Sequence, residues 1–283
     1  MVAAGALGLG TFAWATGAQA PRPAAGTAVP AAAPTPSPTT TVSPFPREPL
    51  TPATRYVALG DSYAAGMGAG GETGKCRVSD TSYPDLFAEQ SHVDLIVNAA
   101  CSGATTSDLL NSQLIALDDR TDLVTVSVGG NDLGVADVAG SCAAGKAVAC
   151  RDQLSSALSL LNILPQRLDA VYKAIAQAAP NARIVVTGYA ALYDVSNSSA
   201  PDFGMATAID AATIGLNEVI KEAVEKARES GIPMTFVAVD FDGHGIGSAH
   251  PWIHGTGADA FHPTAAGYRE YSRALVRLLG TAG

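Results

Sequence analysis

The chain has 283 residues, enough for one large domain with a sizeable core, and its 47% hydrophobic and 15% charged residues fit a globular protein rather than a disordered one. The formal net charge is -9 and no basic patch occurs along the chain, which excludes a nucleic-acid binder and gives no attraction to anionic membranes.

Residues 1–20 carry no charge, are mostly apolar from Val2 to Ala15, and end in Ala18-Gln19-Ala20, a small-x-small site of the kind signal peptidase cuts. A signal peptide is expected there, although a positive n-region is missing; the alternative is an uncleaved anchor, for which the run is short. The chain is therefore expected to be secreted or held in the cell envelope, with no stable membrane insertion after cleavage. Residues 21–52 hold ten of the seventeen prolines, six threonines and only Arg22, Arg47 and Glu48 as charges. Such a composition cannot bury a core and predicts an extended, exposed linker. The folded domain is expected over 53–283, without internal repeats and, by default, as a monomer.

Within that domain the strand candidates are Arg55–Gly60, Val93–Asn98, Asp122–Val128, Ala182–Gly188 and Pro233–Val239. They are short, rich in β-branched residues and apolar on both faces, as buried parallel strands are. Between them run helical stripes. Leu154, Leu158, Leu161, Leu168, Val171 and Ile175 recur at steps of three, four or seven, and Pro165 predicts a kink or a split. Ile209, Ala212, Leu216, Ile220, Ala223 and Ala227 form a second stripe. Tyr268, Tyr271, Leu275 and Leu278 form a third, with Pro263 expected at its first helical position. The alternation predicts an α/β domain: a three-layer α/β/α sandwich around a flavodoxin-like five-stranded parallel sheet.

Ser62, in Gly60-Asp61-Ser62-Tyr63, ends a buried strand among small neighbours and is a candidate nucleophile. A base is available in Asp259-Ala260-Phe261-His262. Two further blocks, Asn98-Ala99-Ala100-Cys101-Ser102-Gly103 and Gly129-Gly130-Asn131-Asp132, also fall just after strand ends, where α/β sheets bind ligands. Four cysteines without a Cys-x-x-Cys motif fit export. Of three possible pairings the sequence-local one is favoured, Cys76–Cys101 and Cys142–Cys150.

In order, spacing and residue types the four blocks resemble the SGNH hydrolases, also called the GDSL esterase and lipase family, over residues 55–280. The likeness is nearest to secreted actinobacterial members, which carry a Cys pair across the second block; the segments Phe241–Gly245 and Pro251-Trp252 look like that subgroup too. Those relatives often carry a third disulfide for which this chain has no cysteines, so the loops before the last block are expected to be less constrained. The resemblance implies the SGNH hydrolase fold and catalysis by Ser62, His262 and Asp259; the alternative for Asp259 is a surface loop carboxylate, since some relatives use a backbone carbonyl in its role. The physics fits: His262 takes the hydroxyl proton and returns it to the leaving alcohol, while Asp259 fixes the tautomer. The backbone N–H groups of Ser62 and Gly103 and the amide of Asn131 are the expected oxyanion donors.

The expected activity is carboxylic-ester hydrolysis through an acyl-serine intermediate, on short- to medium-chain acyl esters. The alternatives are acyl transfer or deacylation on cell-envelope sugars or glycolipids and, from another class, a non-catalytic envelope binding module. No cofactor or metal is expected. His244, His250 and His254 lie six and four residues apart near Asp240 and Asp242, yet Pro251 interrupts their spacing, no glutamate follows His250, and a triad needs no metal. Asp61 and Asp132 are expected to bond local backbone, and His244 to serve loop packing.

Overall fold

The computed structural model describes residues 49–143, 145–196 and 203–282. The expected signal segment and all but the last four residues of the expected linker lie outside the described residues. Leu50, inside the stretch read as linker, is buried in the core.

Five strands form the sheet: β1 (Arg55–Gly60), β2 (Asp94–Asn98), β3 (Leu123–Ser127), β4 (Arg183–Thr187) and β5 (Met234–Val237). Their order is β2-β1-β3-β4-β5 and every pairing is parallel. β1, β3 and β4 are buried on both faces, which their Val, Ile, Leu and Ala runs require. β2 differs from expectation: it is an edge strand, and its Ile96 and Val97 stay exposed. An edge strand has a neighbour on one side only, so its pattern is a weak guide to burial.

The eight α-helices among the described residues are α1 (Ser62–Ala65), α2 (Tyr83–Ser91), α3 (Thr106–Ser112), α4 (Val135–Ala143), α5 (Ala147–Leu160), α6 (Leu164–Ala178), α7 (Phe203–Glu229) and α8 (Ala265–Leu279). Contacts pair α2 with α8, and α6 with α3 and α7, giving the two helical layers that right-handed crossovers dictate. Pro165 splits its stripe as predicted: α5 stops at Leu160 and α6 begins with the proline in its first turn. Pro263 does not open α8; Thr264 is the cap, its hydroxyl accepting the Gly267 N–H. A hydroxyl oxygen satisfies a first-turn donor, which proline cannot do.

The chain leaves β1 towards β2, then crosses back past β1 to β3. That reversal opens a crevice at the carboxyl ends of β1 and β3. Gly60 and Ser127 pair in register, so Ser62 and Gly129, each two residues further on, emerge side by side.

Candidate active site

The turn after β1 is built by close approach. Gly60 has φ +135°, and a Cβ there would sit 2.2 Å from the Ser127 carbonyl oxygen; only glycine fits. The Gln113 amide clasps the same peptide, accepting from Gly60 N at 2.7 Å and donating to Gly60 O at 2.8 Å. Asp61 caps α1, with Oδ1 accepting the Tyr63 N–H at 3.0 Å. Ser62 is therefore the first residue of a one-turn helix, at the sheet's end.

His262 arrives from 200 residues away, and its Nε2 lies 2.8 Å from Ser62 Oγ. Its loop is pinned from several sides. Tyr63 Oη donates to Phe261 O at 2.8 Å, and the His254 N–H donates to His262 O at 2.9 Å. Burial, above all, pushes the imidazole pKa below its ordinary value, partly offset by carbonyls and the nearby Asp259 charge.

Asp259 is not the partner of the ring. Nδ1 faces the main-chain carbonyl of Ala260 at 3.0 Å, while the Asp259 carboxylate accepts from Arg77 Nη2 at 2.5 Å. The physical reason is a stronger competitor: a guanidinium adds an ion pair to the hydrogen bond, which a neutral imidazole does not. Phe261, at φ +68°, turns the chain so that the ring meets its own loop's carbonyl.

The three expected oxyanion donors converge on the same crevice. Neither Ser62 N nor Gly103 N donates to another group among the described residues. Gly103 has φ +85°, and no atom lies within 4 Å of where its Cβ would stand, so a substrate can reach the backbone. Asn131 gives one amide N–H to Ala104 O at 3.0 Å and keeps a second. Its loop is tied to the Ser62 turn by Tyr189, whose hydroxyl accepts from Gly130 N at 3.1 Å and donates to Asp61 Oδ2 at 2.5 Å. Burial raises the Asp61 carboxyl pKa to about 7 despite these bonds. Asp61 thus bonds across the fold as well as locally. Asp132 likewise reaches beyond its own loop, accepting from Thr106 N–H, Thr106 Oγ1 and Arg167.

The crevice opens into a cavity of about 570 Å³. Lys75, Arg77 and Ser102 edge its polar side, and Val138, Leu154, Ile209 and Leu216 stand among its apolar walls. Disulfides Cys76–Cys101 and Cys142–Cys150 are both present. The first holds the loop bearing Gly103; the second ties α4 to α5, two of the apolar walls. His244 stacks on Trp252 with centroids 3.6 Å apart, and His254 Nε2 bonds Gly68 O, so two of the three clustered histidines serve loop packing. Among the described residues, no three His, Cys, Asp or Glu side chains group to hold a metal.

Sequence reasoning missed Arg77 and Tyr189, and it left the backbone-carbonyl alternative to Asp259 without a residue, which the structure supplies as Ala260. A carbonyl is indifferent to residue type, and Arg77 and Tyr189 act through contacts 182 and 128 residues apart. The one signal was that Ala260 stands two residues before the histidine.

Residues 58–270 match the GDSL-like Lipase/Acylhydrolase family. The chain is 37% identical over 227 residues to Lipase 1 of Streptomyces coelicolor, spanning 76% of this chain and 82% of that one. It is 39% identical over 229 residues to a lipase of Streptomyces rimosus, spanning 77% and 84%. Among solved structures it resembles the extracellular lipase of Streptomyces rimosus, with a TM-score of 0.72, 37% identity, and coverage of 80% of this chain and 99% of that one. It also resembles phospholipase A1 of Streptomyces albidoflavus, with a TM-score of 0.71, 38% identity and the same coverage of 80% and 99%.

Proposed function

As a member of the GDSL-like lipase/acylhydrolase family the chain is a serine ester hydrolase, and we propose that it works through an acyl-Ser62 intermediate on short- to medium-chain acyl esters outside the cytoplasm. The observation that carries the reading is the 2.8 Å contact between His262 Nε2 and Ser62 Oγ at an apolar cavity. Ser62 attacks the ester carbonyl as Nε2 takes its proton. The charge on the carbonyl oxygen is met by Ser62 N–H, Gly103 N–H and the free N–H of Asn131. His262 then protonates the leaving alcohol, and water, activated by the same imidazole, releases the acid. The Ala260 carbonyl accepts from Nδ1–H and steadies the imidazolium.

A cavity of about 570 Å³ suits one acyl chain of modest length. Two disulfides, and a Streptomyces rimosus relative described as extracellular, support export. Lys75 and Arg77 at the mouth, with the phospholipase A1 likeness, favour a second reading in which the alcohol part carries a phosphodiester.

A p-nitrophenyl ester series from acetyl to palmitoyl, run on wild type and Ser62→Ala, tests the reading. In wild type kcat/KM rises about 4-fold per methylene, the worth of ~0.8 kcal/mol of burial, until the cavity is full. Ser62→Ala abolishes turnover; unchanged turnover excludes the mechanism. Phosphatidylcholine cleavage exceeding that of a triacylglycerol with the same chains selects the second reading.

A further inference from the structure

Resting on the roles just given to Ser62 and His262, we propose that Arg77 and Asp259 are positioning residues: their ion pair clamps the loop that carries His262 onto the disulfide-held loop that carries Gly103.

Arg77 Nη2 lies 2.5 Å from Asp259 Oδ1, with each side chain about one-third exposed, at 34% and 33%. Arg77 directly follows Cys76, which is bonded to Cys101, and Ser102 N–H donates to Cys76 O at 3.0 Å. Asp259 stands three residues before His262, whose N–H donates to Asp259 O at 3.1 Å. One ion pair therefore closes a path from the imidazole loop to the peptide of Gly103. Both loops are held in unfavourable backbone. Arg77 has φ +54° and Phe261 φ +68°, the left-handed region that non-glycine residues seldom occupy. Such residues persist where the surroundings over-determine them. At Arg77 they are the disulfide beside it and the Thr73–Val78 bridge around it.

The pair also balances charge at the ring. Asp259 raises the His262 pKa and Arg77 lowers it. Other charged or titratable groups around the site are Glu72, 4.0 Å from Arg77, Lys75 at the cavity edge, His254, whose N–H donates to His262 O, and the buried Asp61, Tyr63, Tyr189 and Tyr268.

A double-mutant cycle with Arg77→Gln and Asp259→Asn tests the clamp, with Arg77→Lys as rescue. Each single change lowers kcat roughly 10-fold at unchanged KM, the double is no worse than either single, and Arg77→Lys recovers most of the loss. In Ser62→Ala, NMR titration of His262 moves up in Arg77→Gln and down in Asp259→Asn. Each shift is roughly half a pH unit, the scale of one partly screened charge, and the double returns near the parent. A loss near ~10⁴ for Asp259→Asn with Arg77→Gln harmless makes Asp259 a triad acid and overturns the clamp. Additive losses, or an unmoved titration, overturn it too. The titration needs no turnover, so it judges the clamp even if Ser62 proves not to be the nucleophile.

Discussion

At residue scale the site uses a backbone carbonyl where a side-chain carboxylate was expected. The ring's Nδ1 meets the Ala260 carbonyl instead of Asp259, and two of the three proposed oxyanion donors are, as expected, peptide N–H groups. Asn131 is the side-chain exception, and it is already half committed to Ala104 O. That bond fixes the amide's rotamer, so in the proposed role its second N–H would meet developing charge without reorganisation. Asn131→Ala is therefore expected to lower kcat by ~10²–10³ with KM little changed, because the donor matters most when the oxygen is charged. Steady-state kinetics on p-nitrophenyl butyrate reads this directly. A rise in KM at constant kcat would place Asn131 in ground-state binding instead.

At element scale the sheet, the split at Pro165 and both disulfides were legible because each leaves a local mark: an apolar run, an imino acid, a short cysteine spacing. The exposed face of β2 was not, because sheet order is a non-local property and its Leu-Ile-Val run reads like a central strand. Three of the four site blocks were legible as residue types just beyond strand ends, and the fourth, Asp259–His262, as a base near the C-terminus. The fate of Asp259 was not, because a motif names a carboxylate without naming its competitor, and Arg77 is 182 residues away. The two disulfides do different work. Chain-entropy arguments give about 2.5 kcal/mol for the separation of 8 and about 3.5 kcal/mol for that of 25. Cys142–Cys150 ties α4 to α5, from which Val138 and Leu154 line the cavity. Replacing that pair with serines is expected to reduce kcat/KM for octanoyl more than for acetyl esters. Replacing Cys76 and Cys101 is expected to lower kcat for every chain length, since Gly103 and Arg77 both hang on that bridge. The ester series and urea melts of the two variants check this, and an identical profile for both would show that neither bridge shapes the site.

At the scale of the whole molecule, the fold stores an electrostatic cost beside its nucleophile. Asp61 lies in the core at the end of β1, and burial raises its pKa from 3.8 to about 7. In the unfolded chain this carboxyl ionises near ~4. Between roughly pH 4 and 7 the unfolded state therefore releases a proton that the folded state keeps, and stability falls as pH rises through that window. His262 acts the other way. Its folded pKa is lowered, so below ~6.5 the unfolded state binds the extra proton and stability rises with pH. Asp61→Asn separates the two, removing the carboxyl term and leaving the imidazole term in place. Urea midpoints at pH 5, 6, 7 and 8 should show wild type losing up to a few kcal/mol relative to Asp61→Asn between the ends of the series. Most of the divergence should fall below pH 7, where the folded carboxyl still holds its proton. Parallel curves would mean that Asp61 is already ionised at pH 5 in the folded protein. Its bond from Tyr189 would then be a charge-assisted contact tying the Ser62 turn to the Asn131 loop, stronger than the neutral one argued from burial.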